Sequence, residues 1–159
     1  MKAVLSTPVG NLTLTASESA LTGVFFESSR HGGEDTGARG TGGEVLAVAR
    51  QQLEEYFAGS RTTFDIPLEL AGTPFEQRVW ELLRGIPYGT TTSYGELARR
   101  LGDKSASRAV GLANARNPIP IIVPCHRVIG ANGDLTGYGG GLERKLWLLE
   151  HEGCLLPLK

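Results

Sequence analysis

The feature that most constrains this chain is the stretch 119–128, which reads Ile-Pro-Ile-Ile-Val-Pro-Cys-His-Arg-Val. Prolines and β-branched side chains leave such a backbone little freedom, so we expect the stretch to lie in the core. The polar pair His126 and Arg127 follows Cys125 directly, so one end of the buried stretch must meet polar partners. A neighbouring imidazole or cation favours the nucleophilic thiolate of a cysteine. The stretch therefore predicts either an inert buried cysteine or a reactive thiol at Cys125.

The composition is that of a globular protein, and the longest apolar run is too short to span a bilayer. Hydrophobic residues make up 40% and charged residues 21% of the 159 positions. The apolar start of the chain is broken by Pro8 and Gly10 before a signal sequence develops. Two cysteines, Cys125 and Cys154, do not make a disulfide framework at this length. We therefore expect a protein of the reducing cytoplasm that has no membrane partner.

Charge is distributed unevenly along the chain. Residues 1–70 contain five Lys/Arg and nine Asp/Glu, whereas residues 71–159 contain eleven and eight. The basic residues are concentrated in 95–130, which holds six Lys/Arg and two Asp/Glu. Such a segment is typical of a polyanion-binding surface and equally of a solvated helix face. Charge alone leaves both interpretations open.

Residues 1–70 have the pattern of a small antiparallel sheet followed by a helix. Alternating apolar residues predict strands at 4–7, 12–15 and 21–26. The segment 8–11 (PVGN) predicts a turn between the first two strands. The glycine-rich segment 28–43 predicts a surface loop in which His31 is solvated. An apolar stripe predicts a helix over 44–58, and Pro67 makes 64–70 an edge strand or an extended linker. We expect an α/β domain over 1–70.

Residues 71–159 have the pattern of a second, mostly helical domain. The segments 73–76 (TPFE) and 93–96 (SYGE) are N-cap patterns that precede apolar helical stripes. The pair 102–103 (GD) ends the second of these helices, and Ser105 is expected to cap a third that runs to about Ala115. Two short helices joined by a glycine-containing turn predict a helix-turn-helix.

The remainder of this domain carries turn signals and a last helix. The pair 117–118 (NP) ends the third helix, because the residue before proline disfavours the α conformation. The pair 132–133 (NG) predicts a tight turn between 128–129 and 135–136. The apolar spacing over 142–152 predicts the final helix, with glycine directly after it.

Six sequence blocks in the second half occur in one order and spacing that is similar to a known family. They are 92–98 (TSYGELA), 107–111 (SRAVG), 117–120 (NPIP), 124–128 (PCHRV), 138–141 (YGGG) and 151–153 (HEG). Together they resemble the O6-alkylguanine-DNA alkyltransferases, the methylated-DNA–protein-cysteine methyltransferases. The resemblance is strong over 73–153 and loose before it. It implies an α/β (α+β) fold, with a ribonuclease H-like domain at 1–70 and a winged-helix-like DNA-binding and alkyl-acceptor domain at 71–159.

The resemblance implies an enzyme of direct DNA repair that reacts once. Cys125 would take the alkyl group from O6-alkylguanine in DNA, with O4-alkylthymine as a further substrate, and the thioether product would persist. His126 would take the thiol proton through a water, and Glu152 would orient His126. Tyr94 would donate a proton or a hydrogen bond to the departing base. No cofactor is implied, because the thiol is itself the acceptor.

The resemblance also implies how DNA is held. The alkylated base must leave the stack before a cysteine reaches it, and Arg108 would enter the stack in its place. The helix at 105–115 would lie in the minor groove, with DNA contacts from Ser93, Tyr94, Ser105, Ala106, Arg108 and Ala109. The base pocket would be lined by Asn117, Val128, Tyr138, Gly139 and Gly140. The partner would be double-stranded DNA, bound by a monomer that needs no other protein.

The sequence departs from the family pattern at two places. Some relatives hold zinc in the N-terminal half, but residues 1–70 contain no cysteine and a single histidine, His31, so no metal is expected. Gly139 stands where some relatives have serine, so a hydroxyl contact to the lesion would be absent.

Three other functions fit parts of the sequence. A metal site would use Cys125, His126, His151 and Cys154, although adjacent Cys and His do not follow the usual spacing of zinc ligands. A cysteine hydrolase would turn over, but such enzymes generally place the activating histidine far from the cysteine in sequence. An alkyltransferase-like, non-catalytic binder of damaged DNA, or a helix-turn-helix regulator, would use the same scaffold without chemistry. In alkyltransferase-like proteins the reactive cysteine is replaced, whereas Cys125 is present here.

Overall fold

The computed structural model of the chain describes residues 1–27, 43–130, 133, 135, 138 and 140–154. Nearly all of the loop predicted at 28–43, with His31, lies outside these residues. The chain divides into two units, Met1–Ala71 and Gly72–Lys159. Within the described residues, no helix combines the length and the apolar character needed to cross a membrane.

The N-terminal unit is built on an antiparallel sheet of three strands in sequence order, β1 (Lys2–Thr7), β2 (Gly10–Ala16) and β3 (Leu21–Phe26). These confirm the predicted strands, and the turn is shorter than predicted because Gly10 already pairs with Thr7. Leu12 and Leu14 on the central strand are fully buried, since one face of the sheet carries the core of this unit.

One helix and one extended segment pack against this sheet. The helix α1 (Gly43–Phe57) confirms the helix predicted at 44–58, and its buried stripe is Leu46, Ala49, Leu53 and Tyr56. The segment predicted as an edge strand or linker makes an isolated bridge from Leu68 to Leu21. The N–H of Leu21 donates to the carbonyl of Pro67 at 2.9 Å. Pro67 has no N–H of its own, which limits further pairing along this edge.

The first helix of the C-terminal unit, α2 (Pro74–Arg84), begins at the predicted N-cap. The Thr73 hydroxyl accepts the N–H of Glu76 at 3.1 Å, and the Glu76 carboxylate accepts the N–H of Thr73 at 2.9 Å. This reciprocal pair satisfies N–H groups that a helix start leaves without partners. On the buried face, Trp80 donates from Nε1 to the carbonyl of Ala113 at 2.8 Å and fixes α2 against the helix that carries Ala113.

The predicted helix-turn-helix is present as α3 (Tyr94–Arg100) and α4 (Ser107–Ala115), with a 3₁₀ turn (Lys104–Ala106) directly before α4. Ser93 caps α3, and its hydroxyl accepts the N–H of Glu96 at 3.0 Å. The helix α3 ends just before the predicted break at 102–103, and α4 ends at Ala115 as predicted. The two helices of the motif therefore keep their predicted order and approximate length.

The cap before α4 differs from the prediction. Ser105 lies inside the 3₁₀ turn, and Asp103 is the capping residue. The Asp103 carboxylate accepts the N–H of Ser105 at 3.0 Å and its hydroxyl at 2.5 Å. Ser and Asp are nearly equal as N-cap residues, so the sequence does not distinguish two such positions two residues apart.

Two short strands, β4 (Thr92–Ser93) and β5 (Val128–Ile129), pair in parallel. After β5, the N–H of Gly133 donates to the carbonyl of Gly130 at 2.8 Å, in keeping with the tight turn predicted there, and Leu135 lies in no strand. Gly133 has a φ of +90°, as a tight turn requires. Two further residues of the predicted turn and its flanks, Asn132 and Thr136, lie outside the described residues.

The last described element is α5 (Leu142–His151), which confirms the helix predicted at 142–152. Glu152 is its C-cap, and Gly153 follows with a φ of +77°, the left-handed conformation that commonly ends a helix. The helix packs against the turn that carries Cys125. The end of α5 therefore brings Glu152 close to the stretch 119–128, which carries Cys125 and His126.

Candidate active site

A tight loop joins α4 to Cys125, and Asn117 holds it closed. The Asn117 Oδ1 accepts the N–H of Ile119 at 2.9 Å, and its Nδ2 donates to the carbonyl of Val123 at 2.7 Å. Within the loop Ile121 has a φ of +75°, which is unfavourable for a β-branched residue. The side chain of Ile121 is fully buried, and that burial offsets the backbone cost. Asn117 thus links α4 to the segment that ends in Cys125.

Cys125 opens a buried 3₁₀ turn, Cys125–Arg127, that leads into β5. The exposed fraction of Cys125 is 5%, and His126 is fully buried. Asn114 on α4 donates from Nδ2 to the carbonyl of Cys125 at 3.4 Å. The apolar stretch is core as predicted, and its polar end meets a partner from the end of α5.

Burial raises the pKa of the Cys125 thiol to about 11. The side chain of Asn117 and the charge of Lys145 oppose this shift without overcoming it. The expectation that an adjacent imidazole favours the thiolate is therefore not met at rest. Cys125 is a neutral thiol near pH 7 and requires a base to remove its proton.

Glu152 connects the two polar residues that follow Cys125. Its carboxylate lies 2.7 Å from Nε2 of His126 and accepts from Nε and Nη2 of Arg127 at 2.7 and 2.9 Å. Burial alone would raise the pKa of Glu152, but the hydrogen bonds from His126 and Arg127 lower it to about 2. Glu152 is therefore an anion at neutral pH, held in place by two neighbours.

His126 is held as a neutral imidazole with one open nitrogen. Burial lowers its pKa, and the bond to Glu152 offsets this only in part. Because anionic Glu152 accepts at Nε2, the ring proton lies on Nε2 and Nδ1 is left as an acceptor. Nδ1 is buried and has no hydrogen-bond partner among the described residues. A fixed neutral imidazole with an open Nδ1 is equipped to act as a general base.

Arg127 fixes the other side of the Glu152 carboxylate. Its Nη1 donates to the carbonyl of Ile86 at 2.6 Å, and its guanidinium carbon lies 5.7 Å from the centre of the Tyr88 ring. The planar guanidinium fork matches the two carboxylate oxygens of Glu152. The sequence indicates Arg127 only as a basic neighbour of Cys125 and not as a partner of Glu152.

The residues predicted to contact DNA lie along the helix-turn-helix. Tyr94 begins α3 and is partly exposed. Its ring lies beside α4, since a Cβ added to Gly111 would lie 3.8 Å from it. The other predicted contacts are exposed or partly exposed, namely Ser93, Ser105, Ala106, Arg108 and Ala109.

Four of the five predicted pocket residues are described by the structure. Val128 is fully buried in β5, and Gly140 is buried two residues before α5 begins. Burial raises the pKa of the Tyr138 hydroxyl well above its usual value, and the charge of Cys125 adds to the shift. Tyr138 therefore stays a protonated phenol whose environment includes the thiol. Asn117 is placed as above, and Gly139 lies outside the described residues.

The sequence does not single out two buried polar residues near Cys125. Lys145 on α5 is fully buried, and burial lowers its pKa to about 8 while the charge of Cys125 acts to raise it. Asn114 on α4 is 1% exposed. Helical spacing carries a signal for Lys145, because positions 145, 148, 149 and 152 share one face of a helix.

The metal-site alternative does not fit the described residues. The ring of His151 stacks on Trp147 with centroids 4.8 Å apart, and the sulfur of Cys154 lies 3.9 Å from the carbonyl of Thr90. Across the described ranges, no three His, Cys, Asp or Glu side chains are grouped so that they could hold an ion.

Fold and site together define a class: a mixed α/β unit followed by a helix-turn-helix unit with a buried Cys-His-Glu arrangement. The family model for the 6-O-methylguanine DNA methyltransferase DNA binding domain matches residues 74–154. The model for the ribonuclease-like domain of the same methyltransferases matches residues 1–70. The chain belongs to the 6-O-methylguanine DNA methyltransferase family. This confirms the resemblance and the fold class that the sequence indicates.

Similar proteins agree with this assignment. A methylated-DNA–protein-cysteine methyltransferase of Mycobacterium leprae is 54% identical over 154 residues, covering 93% of this chain and 89% of the relative. One of Methanosarcina acetivorans is 49% identical over 151 residues, covering 95% and 97%. The crystal structure of Mycobacterium tuberculosis OGT in complex with DNA matches with a TM-score of 0.83 at 53% identity, covering 94% and 91%. Relatives with methyltransferase names favour the catalytic function over the non-catalytic alternative.

Proposed function

We propose that this chain repairs alkylated DNA directly, by transferring the alkyl group from O6 of guanine to the sulfur of Cys125. A sulfur–carbon bond forms and the carbon–oxygen bond breaks. The electron pair of the broken bond stays with the purine, which takes up a proton and becomes guanine. The thioether product has no leaving group that water displaces readily, so each molecule reacts once. Cys125 is itself the acceptor, and the reaction needs no cofactor.

The observation that carries this proposal is the open Nδ1 of His126, the residue next to a thiol that does not ionise unaided. The thiol proton passes to Nδ1, and a bridging water is the route that the resemblance implies. Glu152, bonded to Nε2, then stabilises the imidazolium that forms. Deprotonation thus uses His126 and Glu152, and Arg127 already holds the Glu152 carboxylate in place.

Tyr94 acts on the departing base. Its hydroxyl donates to a purine nitrogen as negative charge develops on the ring, which stabilises the transition state. The position of Tyr94 at the start of α3 and beside α4 supports this role, because it borders the helix that meets DNA. The base pocket is formed by Asn117, Val128, Tyr138, Gly139 and Gly140.

Double-stranded DNA is the partner, and α4 is the element that enters its minor groove. Arg108 is exposed on α4 and fills the space that the flipped nucleotide leaves. Extrusion of a base costs a few kcal/mol, and less for a poorly paired alkylated guanine, which favours damaged over normal sites. Further contacts to the strand come from Ser93, Ser105, Ala106 and Ala109.

The proposed repair protein has two domains and acts alone. Residues 71–159 form the DNA-binding and alkyl-acceptor domain, and residues 1–70 form an N-terminal α/β domain. The protein acts as a monomer in the cytoplasm, and its two free cysteines are in keeping with a reducing compartment. O4-alkylthymine is a further substrate of the same transfer.

Intact-mass measurement after incubation with a duplex that carries O6-methylguanine tests this function. We expect one added methyl group, mapped to Cys125, and restored guanine, with product limited to one equivalent. Cys154→Ser should react as the wild type does, whereas Cys125→Ser should bind the alkylated duplex without reacting. Repaired DNA with an unmodified protein, or product beyond one equivalent, would contradict the proposal.

A further inference from the structure

Leu112 is a large apolar side chain that the fold leaves in solvent. It lies on α4 and is 53% exposed, the largest fraction among the large hydrophobic residues that the structure describes. The buried face of α4 is formed by Val110, Ala113 and Asn114, so Leu112 belongs to the opposite face. Single exposed leucines are common on protein surfaces, and the neighbours of Leu112 therefore decide whether it marks a contact.

The neighbours of Leu112 on the helix surface are cations and small residues. Arg108 lies one turn before it and Arg116 one turn after it, a spacing of i, i+4 and i+8 that keeps side chains on one side of a helix. Both arginines are exposed, and Arg116 also lies 3.5 Å from the carboxylate of Glu76. The other exposed positions between them are small, namely Ala109 and Ala115. Leu112 is thus the bulky apolar side chain of a cationic helix face.

This face is complementary to the wall of a nucleic-acid groove. Cations on either side match the phosphates, which supply most of the attraction between proteins and a duplex. An apolar side chain between the cations matches the carbon edges of the sugars that lie between the phosphates. In the proposed function α4 lies in the minor groove, and Arg108 enters the stack beside the lesion. Leu112, one turn further along, then meets the sugars that form the wall of this groove.

We propose that Leu112 is a specificity-determining residue that selects deoxyribose over ribose. This rests on the proposed function, in which α4 lies in the minor groove. The 2′-hydroxyl of a ribose is displayed in that groove, where it donates and accepts hydrogen bonds. A leucine pressed against the hydroxyl removes its water and offers no hydrogen bond in return, which is costly. Deoxyribose has no such group, so the same contact with DNA carries no penalty.

Helix geometry sets the position at which the sugar is recognised. One turn, from Arg108 to Leu112, advances about 6 Å along the axis of α4. Successive nucleotides of one strand are about 3.4 Å apart along the duplex axis. With α4 lying along the groove, Leu112 is therefore about two nucleotides from the nucleotide whose place Arg108 takes. The discrimination against ribose should be confined to sugars around that position.

A scan with single ribonucleotides tests the proposal by binding. Each DNA duplex carries O6-methylguanine and one ribonucleotide, placed at each position in turn, and Cys125→Ser serves as the background so that no transfer occurs. We expect about tenfold weaker binding when the ribose lies about two nucleotides from the lesion, and little change elsewhere. Adding Leu112→Asn, whose amide bonds to the hydroxyl, should remove this penalty, whereas Leu112→Met should keep it. The control Val48→Asn, at a 37% exposed position on α1, should also keep it.

The absence of a local penalty, or an equal penalty in Leu112→Asn and Leu112→Met, would overturn the proposal. A second scan replaces single thymines with uracil, which removes a methyl group from the major groove. Sensitivity to that methyl group through Leu112, without sensitivity to ribose, would place the side chain in the major groove and also overturn it. Methyl transfer to Cys125 in the wild type judges the repair function separately. A penalty that depends on Leu112 in a protein that takes no methyl would support Leu112 and reject the transfer.

Discussion

Arg127 and Glu152 form a buried ion pair with two parallel bonds, Nε to Oε1 at 2.7 Å and Nη2 to Oε2 at 2.9 Å. The pair ties the end of α5 to the turn that carries Cys125. Because His126 binds the same carboxylate, the pair also fixes the orientation of the imidazole. Folding of the acceptor site and its chemistry therefore depend on one carboxylate.

Glu152→Gln should strongly destabilise the protein. The change leaves the buried Arg127 cation without its anion, and breaking a buried pair in this way costs about 3–5 kcal/mol. Urea denaturation measures the loss. The matched control is Glu55→Gln, which breaks an equally short but partly exposed pair with Arg61 and should cost much less, because water screens that pair. Equal losses in the two variants would show that the Glu152 pair contributes nothing special.

The stability of the wild type should fall in acid because of Glu152. The folded-state pKa of this carboxyl is about 2, below its ordinary value of 4.5. A lowered pKa stabilises the fold above the ordinary value, and this contribution is lost as the pH falls from 4.5 towards 2. It amounts to roughly 3 kcal/mol. Urea denaturation at a series of pH values should show the fall in wild type and a flatter curve in Glu152→Gln.

Methylation of Cys125 should lower the melting temperature. Cys125 is 5% exposed in a packed core, and an added methyl group overfills such a site at a cost of about 1–3 kcal/mol. Thermal melting before and after complete methylation, with intact mass as the check, measures the effect. A protein methylated only at the less buried Cys154, in a Cys125→Ser background, is the control. An unchanged or higher melting temperature after reaction at Cys125 would disprove this expectation.

Arg108→Ala should slow the reaction with duplex DNA by about tenfold or more, because a lost contact of 1.4 kcal/mol already has that effect. Reaction with a free O6-benzylguanine base needs no extrusion and should change little. Rates are measured with both substrates for the variant and for Arg50→Ala, an exposed arginine on α1. Similar slowing with both substrates would reject the role of Arg108 in base extrusion.

Asn117→Ala should weaken both the loop and the thiol. Two hydrogen bonds that hold the loop are lost, at about 1 kcal/mol each, and the pKa of Cys125 rises further without the amide. The rate at which methyl iodide, a small electrophile, methylates Cys125 should therefore fall along with the melting temperature. Thr73→Ala removes a helix cap at a similar cost and should leave that rate unchanged. If Thr73→Ala slows Cys125 as much as Asn117→Ala does, general destabilisation explains both results.

The sequence predicts local structure well where one short segment holds all the partners. The cap at Thr73 needs only Glu76, three residues away, and the adjacency of Cys125 and His126 is visible in the sequence. The pairing of Thr92 with Val128 is different, because two-residue strands have no periodicity and their partners lie far apart in sequence. Such pairing is decided by tertiary packing.

The candidate site shows the same division. Glu152 as the partner of His126 follows from the resemblance, whereas the second bond of Glu152, to Arg127, depends on how α5 meets the turn. Lys145 lies in a helix whose spacing places it inside, but lysine is so rarely buried that composition favours the surface. Physical pattern and residue type conflict at this position, and packing resolves the conflict.

The neutral state of the resting Cys125 sulfur has a consequence for the lifetime of the protein. Thiolates attack peroxides and disulfides as nucleophiles, whereas protonated thiols react with these oxidants only slowly. A sulfur that stays protonated and shielded from solvent is therefore dormant towards everyday oxidants. For a molecule that the proposed transfer uses up in a single event, this dormancy keeps the acceptor intact until a damaged base arrives.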